Sequence, residues 1–154
     1  MKKILVIEDD ANIRESLVEL LEMKSYTLLS ADNGTDGLKL AQEQIPDLIL
    51  CDVMMPGMNG YEVVEAIRKD SRLAKLPFIF LSAKAMDSDV EYGKNLGANS
   101  YLTKPFRAQD LFSVVDDLLD DNSGGNFGTG KILDQIEMVI AEIALSLRLR
   151  WRLV

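Results

Sequence analysis

No histidine occurs anywhere in the 154 residues. That removes a phosphohistidine donor, a Ser-His-Asp hydrolase and any histidine-ligated metal from what this chain supplies by itself. Cysteine occurs once, as Cys51, so neither an intramolecular disulfide nor a cysteine zinc cage is available, and Cys51 is expected to be a small buried apolar residue without a redox role. Long apolar runs are missing as well. Met1-Lys2-Lys3 begins like a leader, but Glu8-Asp9-Asp10 cuts it off well short of a signal-peptide core of about 7–15 apolar residues. Nothing approaches the ~20 apolar residues of a membrane span. Positive charge is scarce: the net charge is −8, with 13 basic and 22 acidic side chains in residues 1–122 against 4 and 3 in the remainder. So acidic a body repels nucleic acid, whose binding rests on neutralising phosphates. A cytoplasmic protein with no membrane and no nucleic-acid partner is expected.

What is present is a β-α alternation. Apolar residues make up 47% of the chain, enough for a sizeable core. Short apolar runs predict strands near 3–8, 26–30, 47–52, 77–82 and 99–102, and 3.6-period patterns predict helices near 11–24, 34–44, 60–70, 87–97 and 107–120. In the first helix Ile13, Leu17, Leu20 and Leu21 recur at three- and four-residue spacing, and Lys24 falls on the same stripe. Repeated β-α units with short connections imply an α/β fold with a parallel sheet covered on both faces. The texture changes after Asp121. Residues 122–130 read as a Gly-rich linker. Residues 131–154 read as an amphipathic helical tail, with an apolar stripe through Ile132, Ile136, Val139, Ile140, Ile143 and Leu147.

The strand-like runs share one property: each of four ends in a reactive side chain. Ile4-Leu5-Val6-Ile7 runs into Glu8-Asp9-Asp10, Leu48-Ile49-Leu50-Cys51 into Asp52, Phe78-Ile79-Phe80-Leu81 into Ser82, and Tyr101-Leu102 leads to Thr103-Lys104-Pro105. Open α/β sheets bind ligands beyond the carboxyl ends of their strands. Each residue alone has a plainer reading, as a turn residue, helix cap, loop hydroxyl or solvated charge. Together they suit a magnesium-dependent phosphoryl acceptor. Magnesium takes oxygen ligands in octahedral geometry and usually only one or two protein carboxylates, a demand Asp9 and Asp52 could meet directly, with Glu8 acting through water. Asp52 would attack phosphorus as a carboxylate nucleophile. Ser82 would offer a hydroxyl to the phosphoryl oxygens, and Lys104 a fixed positive charge.

These segments, with Asp52-Val53-Met54-Met55-Pro56-Gly57-Met58-Asn59-Gly60, Leu81-Ser82-Ala83 and Thr103-Lys104-Pro105-Phe106, resemble the receiver domain of two-component response regulators, the CheY-like superfamily. The resemblance runs over residues 1–121. It implies a flavodoxin-like, doubly wound five-stranded parallel sheet of order 2-1-3-4-5, with the tail as a C-terminal extension. It further implies Asp52 as phosphoacceptor, Glu8 and Asp9 as the acidic pair, the backbone carbonyl of Met54 as a further Mg²⁺ ligand, and a cis Lys104-Pro105 bond. Ser82 and Tyr101 become a switch, in which the hydroxyl moves toward the phosphoryl group and the ring fills the space it leaves. Met54 and Lys84, two positions past Asp52 and Ser82, would flank the path of hydrolytic water and tune the phosphoryl lifetime. The donor would be a sensor histidine kinase or a phosphotransfer protein. The surface of the fourth helix, fifth strand and fifth helix, or the C-terminal helix, would pair copies of the chain. By this resemblance the chain is no enzyme beyond its own phosphoryl transfer and slow autodephosphorylation.

Other readings stay open at the level of sequence. A haloacid-dehalogenase-like phosphatase needs an acid two residues after the nucleophile, where this chain has Met54. A phosphorylation-independent receiver scaffold would keep the same residues. So would the receiver part of a longer transcription factor whose DNA-binding module is absent, and the tail would then be the start of a truncated output region. The alternative for the tail is a helix packed back on its own receiver.

Overall fold

The computed structural model describes residues 1–84 and 86–120, so the expectations for the linker and the tail lie outside the described residues. Five β-α units follow one another: β1 (Lys3–Ile7), α1 (Ala11–Met23), β2 (Thr27–Ala31), α2 (Gly34–Gln44), β3 (Leu48–Asp52), α3 (Gly60–Lys69), β4 (Phe78–Ser82), α4 (Asp87–Leu96), β5 (Ser100–Thr103) and α5 (Ala108–Leu119). All strands pair in parallel in the order β2-β1-β3-β4-β5. This is the doubly wound, flavodoxin-like order expected above.

Burial explains the composition of each strand. Every residue of β3 and β4 is buried, whereas β2 and β5, at the edges, are partly exposed. Strands covered on both faces need unbroken apolar runs, and edge strands do not. Side chains alternate between faces. Ile4, Val6, Leu48, Leu50, Ile79 and Leu81 meet α1 and α5 in one core, while Leu5, Ile7, Ile49, Cys51, Phe78 and Phe80 meet the helices of the other face. The stripe expected for α1 is the buried one, at Ile13, Leu17, Leu20 and Leu21. Lys24 follows that stripe inward: its side chain is only 5% exposed, pairs with Asp116 at 3.3 Å and lies over the Phe112 ring, joining α1 to α5.

Three of the five described helices, α1, α2 and α3, start where the sequence offers side-chain caps. Asp10 accepts from the amides of Asn12 and Ile13, and Asn33 from that of Asp36. Asn59 and Glu62 form a reciprocal capping box at α3. The Asp10 cap sits immediately beyond Glu8 and Asp9, so the chain leaves the sheet edge at once there and leaves those carboxylates at the rim.

Candidate functional site

Strand register assembles the site. Ile7 lies opposite Cys51, so the next residues along, Glu8 and Asp52, come side by side. Asp52 lies opposite Leu81, which sets Ser82 one step further out, and Ser82 lies opposite Thr103. The Lys104 amide then donates to the Ser82 carbonyl at 2.7 Å, extending that pairing by one residue before the cis Lys104–Pro105 bond turns the chain. From there the Lys104 side chain reaches back over two strands: Nζ is 2.6 Å from Glu8 Oε1 and 3.2 Å from Asp52 Oδ2. The four residues expected at the strand ends are thus brought together.

Glu8, Asp52 and Ser82 are buried, whereas Asp9 is exposed. Two buried carboxylates face one ammonium, which leaves a negative charge in excess. Burial first, and then the neighbouring Asp52, push the Glu8 carboxyl up from an ordinary 4.5 to about 9. Burial alone would lower the Lys104 ammonium, but Glu8 and Asp52 outweigh it and hold that group above its ordinary range. The two carboxylates therefore favour the charged form of Lys104, and burial favours the protonated form of Glu8. Glu8 Oε2 has no hydrogen-bond partner, a costly condition for a buried oxygen. Glu8, Asp9 and Asp52 each present an oxygen, all within 4.8 Å of one another. Three clustered hard oxygen donors, one of them orphaned, fit a small divalent cation.

The rim is built from two short turns. The Met54 amide donates to Asp52 Oδ1 at 3.2 Å, and the Lys84 amide to Ser82 Oγ at 3.0 Å. The Tyr101 hydroxyl donates to the Lys84 carbonyl at 3.0 Å, tying β5 to the turn after β4. Met54, in the turn beyond β3, is 59% exposed while its neighbour Met55 is buried.

Three contributors are invisible in the sequence reading. Arg14 Nη1 donates to the Glu8 carbonyl at 2.9 Å and lies 3.5 Å from the Asp9 carbonyl, bracing the backbone of the acidic pair. An arginine in a first helical turn carries no sequence signal for such a role. Gly60 opens α3 so close to β3 that a Cβ there would lie 2.2 Å from the Asp52 carbonyl oxygen. Tyr61 stacks edge-on against both Phe80 and Tyr92, with Lys84 Nζ 6.0 Å from its ring centre. Only the Asn-Gly step before α3 could have hinted at the tight approach of Gly60.

Known proteins resemble the chain in the same places. A family model described as the response regulator receiver domain matches residues 4–116. PilH of Pseudomonas aeruginosa is 34% identical over 119 residues, covering 77% of this chain and 98% of its own length. The transcriptional regulatory protein AfsQ1 of Streptomyces coelicolor is 36% identical over 154 residues, covering 97% of this chain and 67% of AfsQ1. The chain spans only about half the length of several other transcriptional regulators that it matches. A structure of the chemotaxis protein CheY4 of Vibrio cholerae superposes with a TM-score of 0.74 at 32% identity, over 77% of this chain and 99% of that one. Among the described residues no helix is long and apolar enough to cross a membrane. With the register, the acidic cluster and the reaching lysine in place, the chain belongs to the receiver domain family of two-component response regulators, whose members take phosphoryl groups from histidine kinases or phosphotransfer proteins.

Proposed function

We propose that Asp52 is the phosphoacceptor of this chain, phosphorylated with Mg²⁺ by a sensor histidine kinase or a phosphotransfer protein, and that the resulting signal passes through protein contacts in the cytoplasm. The observation that carries this reading is the single ammonium of Lys104 shared by two buried carboxylates, Glu8 and Asp52. A cation held beside the nucleophile can pass its charge to an arriving phosphoryl oxygen.

Glu8, Asp9 and Asp52, with the Met54 backbone carbonyl, would hold Mg²⁺. When bound, that ion neutralises the acidic cluster and the charge of the incoming phosphoryl group. The remaining work falls to the chain. An Asp52 carboxylate oxygen attacks phosphorus, the bond from phosphorus to the donor nitrogen breaks, and the nitrogen leaves with the electron pair. Lys104 and Ser82 hold the phosphoryl oxygens. Burial of Asp52, 6% exposed, limits competing water. As the hydroxyl of Ser82 turns toward the phosphoryl group, Tyr101 exchanges its bond to Lys84 for the vacated space, altering the surface of α4, β5 and α5. That surface, or the C-terminal segment, would pair copies of the chain. Met54 and Lys84 flank the hydrolytic water and tune the lifetime, an apolar Met54 favouring a long one. We assign residues 1–121 to the receiver, 122–130 to a linker and 131–154 to a tail that can act as an interaction helix or lead into an output module. Repulsion from the acidic body argues against nucleic acid as a partner.

Intact-mass measurement after incubation with acetyl phosphate tests the reading. Wild type with Mg²⁺ is expected to gain one labile phosphoryl group, lost on adding a chelator beforehand and absent from Asp52→Ala. A folded wild type that gains none would be a phosphorylation-independent scaffold.

A further inference from the structure

The chain carries one thiol, Cys51, and it is fully buried at the end of β3. Burial pushes its thiol well above the ordinary range, so it is a poor nucleophile toward oxidants. An exposed methionine, one of four among the described residues with Met1, Met23 and Met86, lies three residues on. Met54 is 59% exposed, whereas Met55 beside it is 7% exposed. Its amide is bonded to Asp52 Oδ1 at 3.2 Å, which holds the residue at the mouth of the acidic site. Met86, at the start of α4, is 70% exposed, but no hydrogen bond ties it to Asp52.

We infer that Met54 is a site of reversible oxidation by hydroperoxides, and that its sulfoxide shortens the lifetime of the acyl phosphate on Asp52. The inference rests on the acceptor role proposed above. In the oxidation the peroxide O–O bond breaks and one oxygen joins the Met54 sulfur. The sulfur loses two electrons, and the peroxide is reduced to water or an alcohol. A thioether is a weak acceptor that leaves nearby water unheld, whereas a sulfoxide oxygen is a strong, dipolar acceptor. Water hydrogen-bonded to that oxygen is placed beside the acceptor carboxylate. Its oxygen then attacks phosphorus, the bond from phosphorus to Asp52 breaks with the electron pair returning to the carboxylate, and the water proton leaves with inorganic phosphate. Positioning of an attacking water is a known lever in phosphoryl transfer. Sulfoxide reduction restores the thioether, so the chain would report an oxidising episode by losing its phosphoryl signal early.

The test uses the full chain pretreated with hydrogen peroxide, which is removed before phosphorylation with acetyl phosphate and Mg²⁺. Peptide mapping locates the sulfoxides, and intact mass follows the decay of the acyl phosphate. Each variant is compared with its own untreated decay. Wild type and Met86→Leu are expected to decay about three- to tenfold faster after oxidation, the size one added hydrogen bond supplies. Met54→Leu is expected to keep its untreated decay, and a methionine sulfoxide reductase to restore wild type. An unchanged decay in wild type oxidised at Met54, equal acceleration in Met54→Leu, or oxidation that spares Met54 while reaching Met86 would each overturn the inference. Absence of any acyl phosphate on untreated wild type would instead remove the acceptor role itself, and the inference with it.

Discussion

Glu8 is the residue on which the electrostatics of the site turn. Its folded value, about 9, lies above its ordinary 4.5. The folded chain therefore binds this proton more tightly than the unfolded chain does. The stabilisation is complete below about 4.5 and is lost as pH rises toward about 9. Metal-free protein is accordingly expected to melt at falling temperature from pH 6 to 9 in a chelator, with the slope flattened in Glu8→Gln. A Tm that rises over this window, or an unchanged slope in the variant, would contradict the assignment of the proton to Glu8. At the proposed Mg²⁺ site ion and proton would compete, so Mg²⁺ affinity measured by calorimetry is expected to strengthen over the same range. Nothing in the run Ile4-Leu5-Val6-Ile7-Glu8-Asp9-Asp10 announces this shift. It arises first from burial and then from Asp52, both supplied by residues far along the chain.

At the scale of elements, the Asp52 carboxylate, the proposed acceptor, is held by the packing of α3 against the end of β3. The capping box at Asn59 and Glu62 starts that helix, and Gly60 lets it start against the strand. A methyl group at Gly60 would meet backbone, the Asp52 carbonyl at 2.2 Å and the Val53 Cα at 2.9 Å, and backbone cannot rotate away as a side chain can. Gly60→Ala is expected to cost about 2–4 kcal/mol in urea denaturation and to slow labelling by acetyl phosphate about tenfold or more through displacement of Asp52. Gly57 offers the control. It has a φ of 73° but open space around it, so Gly57→Ala is expected to cost only about 1 kcal/mol and to leave labelling intact. Equal losses in the two variants would show that the β3–α3 turn matters as a whole and that the close approach does not. Arg68 has a similar supporting part at the opposite edge. It donates to the carbonyls of Gly97, Ala74 and Leu76 and to Asn99 Oδ1, anchoring the end of α4 and the entry to β5.

For the molecule as a whole, both faces of the sheet are already covered by residue 119, with α1 and α5 on one side and α2, α3 and α4 on the other. A domain that buries its core this way has no need of further chain to fold. Residues 1–121 alone are therefore expected to unfold cooperatively in urea and to take up one phosphoryl group at the rate of the full chain. Light scattering of both forms, with and without acetyl phosphate, would assign any self-association. Mass that falls to a monomer on truncation places it in the tail, and mass that is unchanged places it on the receiver.

How much of this was legible depended on the range of the interaction. Strand and helix positions follow from local periodicity, and a cap such as Asp10 acts within three residues, so the ten elements of the described residues could be placed from sequence to within a residue or two. That the reactive groups end strands was equally local, since an apolar run stops where a charged residue begins. Which of those groups touch was not. The bridge from Lys104 to Glu8 and Asp52 spans 96 and 52 residues. The brace from Arg14 to the Glu8 carbonyl and the absence of space for a Cβ at Gly60 likewise depend on parallel register and on interlayer packing. Composition by itself excluded histidine chemistry and an intramolecular disulfide, and the order of residues along the chain placed the acids and the lysine at strand ends. The tertiary structure alone decided that one ammonium would serve two buried carboxylates, because Coulomb energy and desolvation depend on distance through space, which chain order does not specify.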